Sequence, residues 1–176
     1  MGFESFHADL LPRHATLGEA DAAVRRLPGA WPDADALATR GSTYYTVEDG
    51  SHVFEIEVTR EPVRVSCRFT LCHPPTVDAA FLDLLRDLTR RLGGAEITGE
   101  GLTAEVESPE FAAALSARVA ERRAEWDKMF GSARAAATTA EAFERYILPK
   151  CVPVAGPALT ALTAAPPAPT TPAPSS

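Results

Sequence analysis

Val63-Arg64-Val65-Ser66-Cys67-Arg68-Phe69-Thr70-Leu71 alternates without a break. Val63, Val65, Cys67, Phe69 and Leu71 are apolar, and the residues between them are charged or polar. Side chains on a strand point to opposite faces with a period of two, so this segment is a half-buried strand of an antiparallel sheet. The segment before it repeats the pattern. Phe54, Ile56 and Val58 alternate with Val53, Glu55 and Glu57. A hairpin centred on Arg60-Glu61, with Pro62 just after, pairs Val58 with Val63, Ile56 with Val65 and Phe54 with Cys67. It sets Glu57 opposite Arg64, a favourable cross-strand pair. A one-residue slip would destroy the apolar match.

Upstream, Thr43-Tyr44-Tyr45-Thr46-Val47 is β-branched and aromatic, which suits a strand. Asp49-Gly50 follows as a hairpin signal, and pairing across it sets Tyr45 against Phe54. Downstream, His73-Pro74-Pro75 stops the sheet and Thr76 caps a helix. Val77, Ala80, Phe81, Leu84, Leu85, Leu88 and Leu92 share one helical face, and Asp78, Asp83, Arg86, Asp87, Arg90 and Arg91 share the other. Gly93-Gly94 ends this helix, and Ala95 to Thr98 is a short return strand.

The N-terminal segment reads strand then helix. Phe6, Ala8 and Leu10 alternate with Ser5, His7 and Asp9, and Pro12 closes the strand. Thr16-Leu17-Gly18-Glu19 has capping-box spacing. Leu17, Ala20, Val24 and Leu27 make an apolar stripe that Pro28-Gly29 ends. Residues 30–41 read as a loop anchored by Trp31. The order β-α-β-β-β-α-β, with one strand counted as an extra hairpin arm, resembles a ferredoxin-like sandwich. The expected fold is therefore α+β: an antiparallel meander sheet with helices packed on one face, plus two C-terminal helices. The first of those starts at Ser108-Pro109-Glu110, a cap followed by proline at the first helical position. Phe111, Leu115, Val119, Trp126 and Phe130 form its core stripe. The second starts at the capping box Thr138-Thr139-Ala140-Glu141, with Phe143 and Ile147 inward. Residues 1–151 form one domain on this reading. The stretch 152–176 lacks charge and is dominated by proline, alanine and threonine, so a disordered tail is expected.

The chain of 176 residues carries a net charge of −7. That opposes a general nucleic-acid or membrane-surface role, since both partners are anionic, and favours a basic protein partner. Three cysteines show no disulfide framework. Cys67 points into the core, Cys72 falls on the other face and Cys151 follows the last helix. No signal peptide or membrane span is evident, so a reducing cytoplasm is the expected setting.

Gly99-Glu100-Gly101-Leu102-Thr103-Ala104 matches a G-x-G-x-x-A dinucleotide pattern. The pattern requires a helix opening at once beneath the pyrophosphate, whereas the helix start here is Ser108-Pro109, and nearby glutamates would repel phosphate. A turn is the better reading. Cys67, Cys72 and His73 are too few and too badly placed for a structural zinc site, which needs four convergent ligands. The same Cys72–His73 corner is the best candidate for nucleophilic catalysis, because a helix entry lies beside the thiol. A core cysteine and a surface histidine explain these residues more economically. RNA recognition on this topology would need aromatics on the central strands' open face. Glu55, Glu57, Arg64, Ser66 and Arg68 stand there instead. No cofactor and no metal are expected.

Between Glu96 and Glu110 the chain has five acids and no base. Glu96, Glu100, Glu105, Glu107 and Glu110 are therefore the candidate interaction surface, steered by charge toward a basic partner. The leading expectation is a non-enzymatic protein-binding module, such as an acidic, immunity-protein-like inhibitor of a basic toxin or nuclease. The rival is a small enzyme or ligand-binding domain that uses the open sheet face or the Cys72–His73 corner.

Overall fold

Among the described residues the alternation of apolar and polar residues builds one six-stranded antiparallel sheet, with three helices completing an α+β fold. The structure is a computed structural model that describes residues 5–32, 42–49, 52–71 and 73–130. The elements in chain order are β1 (Ser5–Pro12), α1 (Leu17–Arg25), β2 (Ala30–Pro32), β3 (Thr43–Asp49) and β4 (His52–Thr59). They continue with β5 (Arg64–Thr70), α2 (Val77–Arg91), β6 (Ala95–Thr98) and α3 (Pro109–Phe130). The expected helix at 138–147, the tail at 152–176, Cys72, Cys151 and most of the 30–41 loop lie outside the described residues.

The strand order is β2-β3-β4-β5-β1-β6, so the first strand sits between β5 and β6. α1 carries the chain from β1 to β2 at the far edge, and α2 carries it over β1 from β5 to β6. Without β2 and β3 the remaining order is β-α-β-β-α-β, the split unit of ferredoxin-like folds. The first edge strand differs from the sequence expectation. Ala30, Trp31 and Pro32 pair with Val47, Thr46 and Tyr45, where a loop was expected. Three residues show no usable alternation, and only the open edge of β3 makes them a strand. Gly29 (φ +72°) permits the approach, because a Cβ there would collide with the Glu48 carbonyl oxygen. The proline ends the strand at the sheet's edge, where a missing N–H costs least.

Both hairpins sit two residues away from the expected register. Val58 pairs with Val65, Ile56 with Cys67 and Glu55 with Arg68. Glu57 faces Ser66 rather than Arg64, which lies opposite Thr59. In the first hairpin Val47 faces Phe54 and Tyr45 faces Ile56, closing on Asp49 and His52. A two-residue shift leaves every side chain on its own face, so the apolar pattern alone cannot tell these registers apart. Turn length decides between them, and residues 60–63 form a turn longer than the expected Arg60-Glu61 centre.

One face of the sheet is apolar across its middle, with Thr43, Asp49 and His52 at the ends of β3 and β4. Phe6, Ala8, Leu10, Tyr45, Val47, Phe54, Ile56, Val58, Val65, Cys67, Phe69 and Ile97 are all buried on it. Phe6, Phe54 and Phe69 meet Phe81 of α2, with the Phe69 and Phe81 ring centres 4.9 Å apart. α1 adds Ala20, Ala23 and Val24, and α3 adds Phe111, Leu115, Val119 and Trp126, so all three helices join one continuous core. Each fully buried phenylalanine contributes about 1.5–3 kcal/mol. The caps match their sequence signals at two helices. Thr16 and Glu19 form the capping box of α1, and Ser108 accepts from the Phe111 amide at the start of α3. Thr76 precedes α2 without capping it, because its hydroxyl meets the His52 ring instead. Among the described residues no helix is long and apolar enough to cross a membrane.

Candidate functional site

The residues that alternate with the core set form the opposite face of the sheet. The helical core residues all pack with the apolar set, so no described helix covers this face. Direct cross-strand partners share a face, which lets two rows be read across it. One runs Trp31, Thr46, Glu55, Arg68, His7. The next runs Tyr44, Glu57, Ser66, Asp9, Thr98. Arg68 is paired with Glu55. The Tyr44 hydroxyl donates to Glu57 at 2.7 Å, Ser66 donates to Asp9, and Arg64 lies 3.6 Å from Asp9. The face thus carries the carboxylates Asp9, Glu48, Glu55, Glu57 and Glu96 against the guanidiniums of Arg64 and Arg68. Five negative charges less two positive leave a local excess of three. Trp31 closes the face at its β2 edge with 49% of its surface exposed, and residues 33–41 of the loop it was expected to anchor lie outside the described residues.

The five acids singled out in the sequence lie on different elements: β6, the loop before α3 and the first turn of α3. Glu96 is exposed on β6, opposite Leu11, and belongs to the helix-free sheet face. Glu105 and Glu110 are exposed on the loop before α3 and in its first turn. Glu107 is exposed but lies 3.5 Å from Arg86 and 3.8 Å from Arg90 of α2. Glu100 is drawn inward, its side chain 11% exposed. His7 Nδ1 is 3.2 Å from one carboxylate oxygen and Arg122 Nε is 3.7 Å from the other. Arg118 Nε donates to the Glu100 carbonyl at 2.8 Å. Glu100 has φ +48°, between Gly99 at +109° and Gly101 at +76°. A left-handed conformation costs a residue with a Cβ about 1–2 kcal/mol, and the two cationic side chains and the imidazole hold it there. The G-x-G-x-x-A pattern is thus a turn that ties the end of β6 to β1 and α3. No helix opens from it, since α3 begins at Pro109.

At the other corner, His73 is buried, 4% exposed. Its ring centre is 6.2 Å from that of His52, whose Nε2 is 2.9 Å from the Thr76 hydroxyl. Arg123 of α3 donates to the backbone carbonyls of His73 and Pro74 at 3.4 and 3.3 Å, clamping the entry to α2. Cys72 lies outside the described residues. Cys67 is fully buried as a free thiol, and burial, reinforced by the charge of Asp9, pushes its pKa up. It stays a thiol and is no nucleophile. Among the described residues no three histidine, cysteine or acidic side chains gather as a metal site.

Trp31 was missed as a surface residue because it read as the anchor of a loop, and Tyr44 because an aromatic residue in a strand reads first as core. The partners of Glu100 come from β1 and α3, distant in sequence. Its only local signal was the pair of flanking glycines. No protein-family model, curated protein or solved structure matches the chain.

Proposed function

We propose that this protein is a non-enzymatic protein-binding module whose docking surface is the helix-free sheet face and whose partner is basic. The observation that carries the reading is Trp31, half-exposed at the edge of a sheet face that no described helix covers and that carries an excess of three negative charges. Tryptophan, tyrosine and arginine are the residues that most often anchor protein interfaces. Acidic groups around such an anchor steer a basic partner and favour it over acidic competitors. The charged side chains of the face are held by Arg68–Glu55, Tyr44–Glu57 and Arg64–Asp9 contacts, so little ordering is lost on docking. A small inhibitor that neutralises a basic toxin or nuclease fits this surface. The reading includes a cytoplasmic setting, which the free thiol of Cys67 supports.

The test is capture by the full chain from its native lysate, followed by calorimetry with the purified partner. A single basic protein should elute with salt. Trp31→Ala should weaken it by about 2 kcal/mol, near thirtyfold. Glu48→Lys with Glu96→Lys should slow association and flatten its salt dependence. A partner whose affinity ignores all three substitutions would remove the sheet face from the reading. The rival enzyme reading has the nearness of His52 and His73 in its favour. It requires turnover that His73→Ala abolishes while the fold survives by circular dichroism.

A further inference from the structure

On the helical side of the sheet, a groove of about 750 Å³ opens between the start of α1 and the end of α2. Its apolar lining includes Ala22, Ala23 and Leu92, and its polar lining includes His14, Arg26 and Arg91. Among the described residues Glu19 is the only acid in that lining. Its carboxylate is committed to the α1 cap, accepting from the Thr16 amide and hydroxyl at 2.8 Å each, and these bonds hold its pKa below the usual range. Asp87 engages Arg91 through Nε alone at 2.9 Å, and a guanidinium has four further N–H donors. Arg26 forms no ion pair among the described residues. Two guanidiniums and an imidazole thus converge on a groove with a partly apolar wall, in a chain whose net charge is −7. Such a volume suits a small molecule rather than a protein loop.

We propose that this groove binds a small amphipathic organic anion, with a carboxylate or phosphate held by Arg26, Arg91 and His14 and a short apolar body lying on Ala22, Ala23 and Leu92. Arginine is the side chain best matched to either head group, because its planar fork bonds two oxygens at once. The apolar wall distinguishes such a ligand from a bare inorganic ion. The site lies in the helical layer and is independent of the partner surface on the other face of the sheet.

Calorimetry on the full chain with hexyl phosphate, hexanoate and inorganic phosphate tests the assignment. The expected result is saturable binding of hexyl phosphate, hexanoate or both, at least about tenfold tighter than inorganic phosphate. The preferred head group separates the phosphate source from the carboxylate source. Arg26→Gln should weaken the better probe by about tenfold, and adding Arg91→Gln should remove measurable binding. Ala22→Trp should block the apolar wall and weaken the alkyl probes more than inorganic phosphate. Arg25→Gln, which removes a cation paired with Asp21 and lying over the Tyr45 ring, outside the groove lining, should leave the affinity unchanged. The proposal falls if none of the probes saturates below about 10 mM. It also falls if Arg26→Gln binds the better probe as tightly as the unaltered protein, if the double variant Arg26→Gln, Arg91→Gln still binds measurably, or if inorganic phosphate binds as tightly as its hexyl ester.

Discussion

Phe69 and Arg68 are neighbours on β5, yet they belong to two different molecules in energetic terms. Phe69 lies on the core face among Phe6, Phe54 and Phe81, with 1% of its surface exposed. Arg68 lies on the helix-free face, half-exposed, paired with Glu55. The same contrast divides the adjacent tyrosines of β3. Tyr45 is buried and donates to Asp21 of α1, while Tyr44 stands on the other face and donates to Glu57. One face is shaped by burial and is intolerant of change. The other is shaped by contacts individually worth little, so it can be altered for recognition without unfolding the protein. A surface that must evolve toward a partner is better placed on the second.

The largest effect that tests this contrast is Phe69→Ala. It should cost about 3–5 kcal/mol, from lost transfer energy and a cavity beside Phe81. Urea denaturation would read it, and a loss below about 1 kcal/mol would mean that the aromatic cluster repacks freely. Next comes the alkaline limb of stability. Burial, then the hydrogen bond to Asp21 and its charge, push the Tyr45 hydroxyl up to about 12, while Arg25 opposes the shift. The folded state therefore keeps a proton that the unfolded chain loses near pH 10. This stabilisation is fully present below pH 10 and is lost as pH rises toward 12, by about 2 kcal/mol after allowance for screening at the hydroxyl end. Tyr45→Phe should flatten that limb. The smallest effect is Arg68→Ala. It should change stability by no more than about 1 kcal/mol, since exposed pairs rarely exceed that. If Arg68→Ala rivalled Phe69→Ala, the two-face description would be wrong.

The degree to which these features could be read without coordinates follows the size of the underlying energies. Alternation placed Val65, Cys67 and Phe69 on the buried face, and helical spacing did the same for Phe81, Leu85 and Leu88, because burial selects residue type position by position. Register escaped the sequence in both hairpins. Pairing Val58 with Val63 or with Val65 leaves the same faces apolar, and turn geometry carries the difference. Strand β2 escaped because three residues bear no period. The candidate surface was only partly legible. Glu96 sits as an exposed acid on the sheet face that no described helix covers, whereas Glu100 and Glu107 are met by arginines of α2 and α3 and by the His7 imidazole of β1, which no local pattern linked to them.

By itself the amino-acid order determined the types of the described elements other than β2, the buried stripes of those elements, the caps of α1 and α3 and the acidic balance of the chain. All of these are local properties, set by side-chain period, backbone preference and charge count. Tertiary structure alone decided the strand order that puts β1 between β5 and β6, the gathering of His7 and Arg122 on Glu100, and the exposure of Trp31. It also decided the meeting of Arg26 and Arg91 across one groove. These depend on which segments, far apart along the chain, come to share space, and that outcome rests on the summed packing of the whole core rather than on any single stretch.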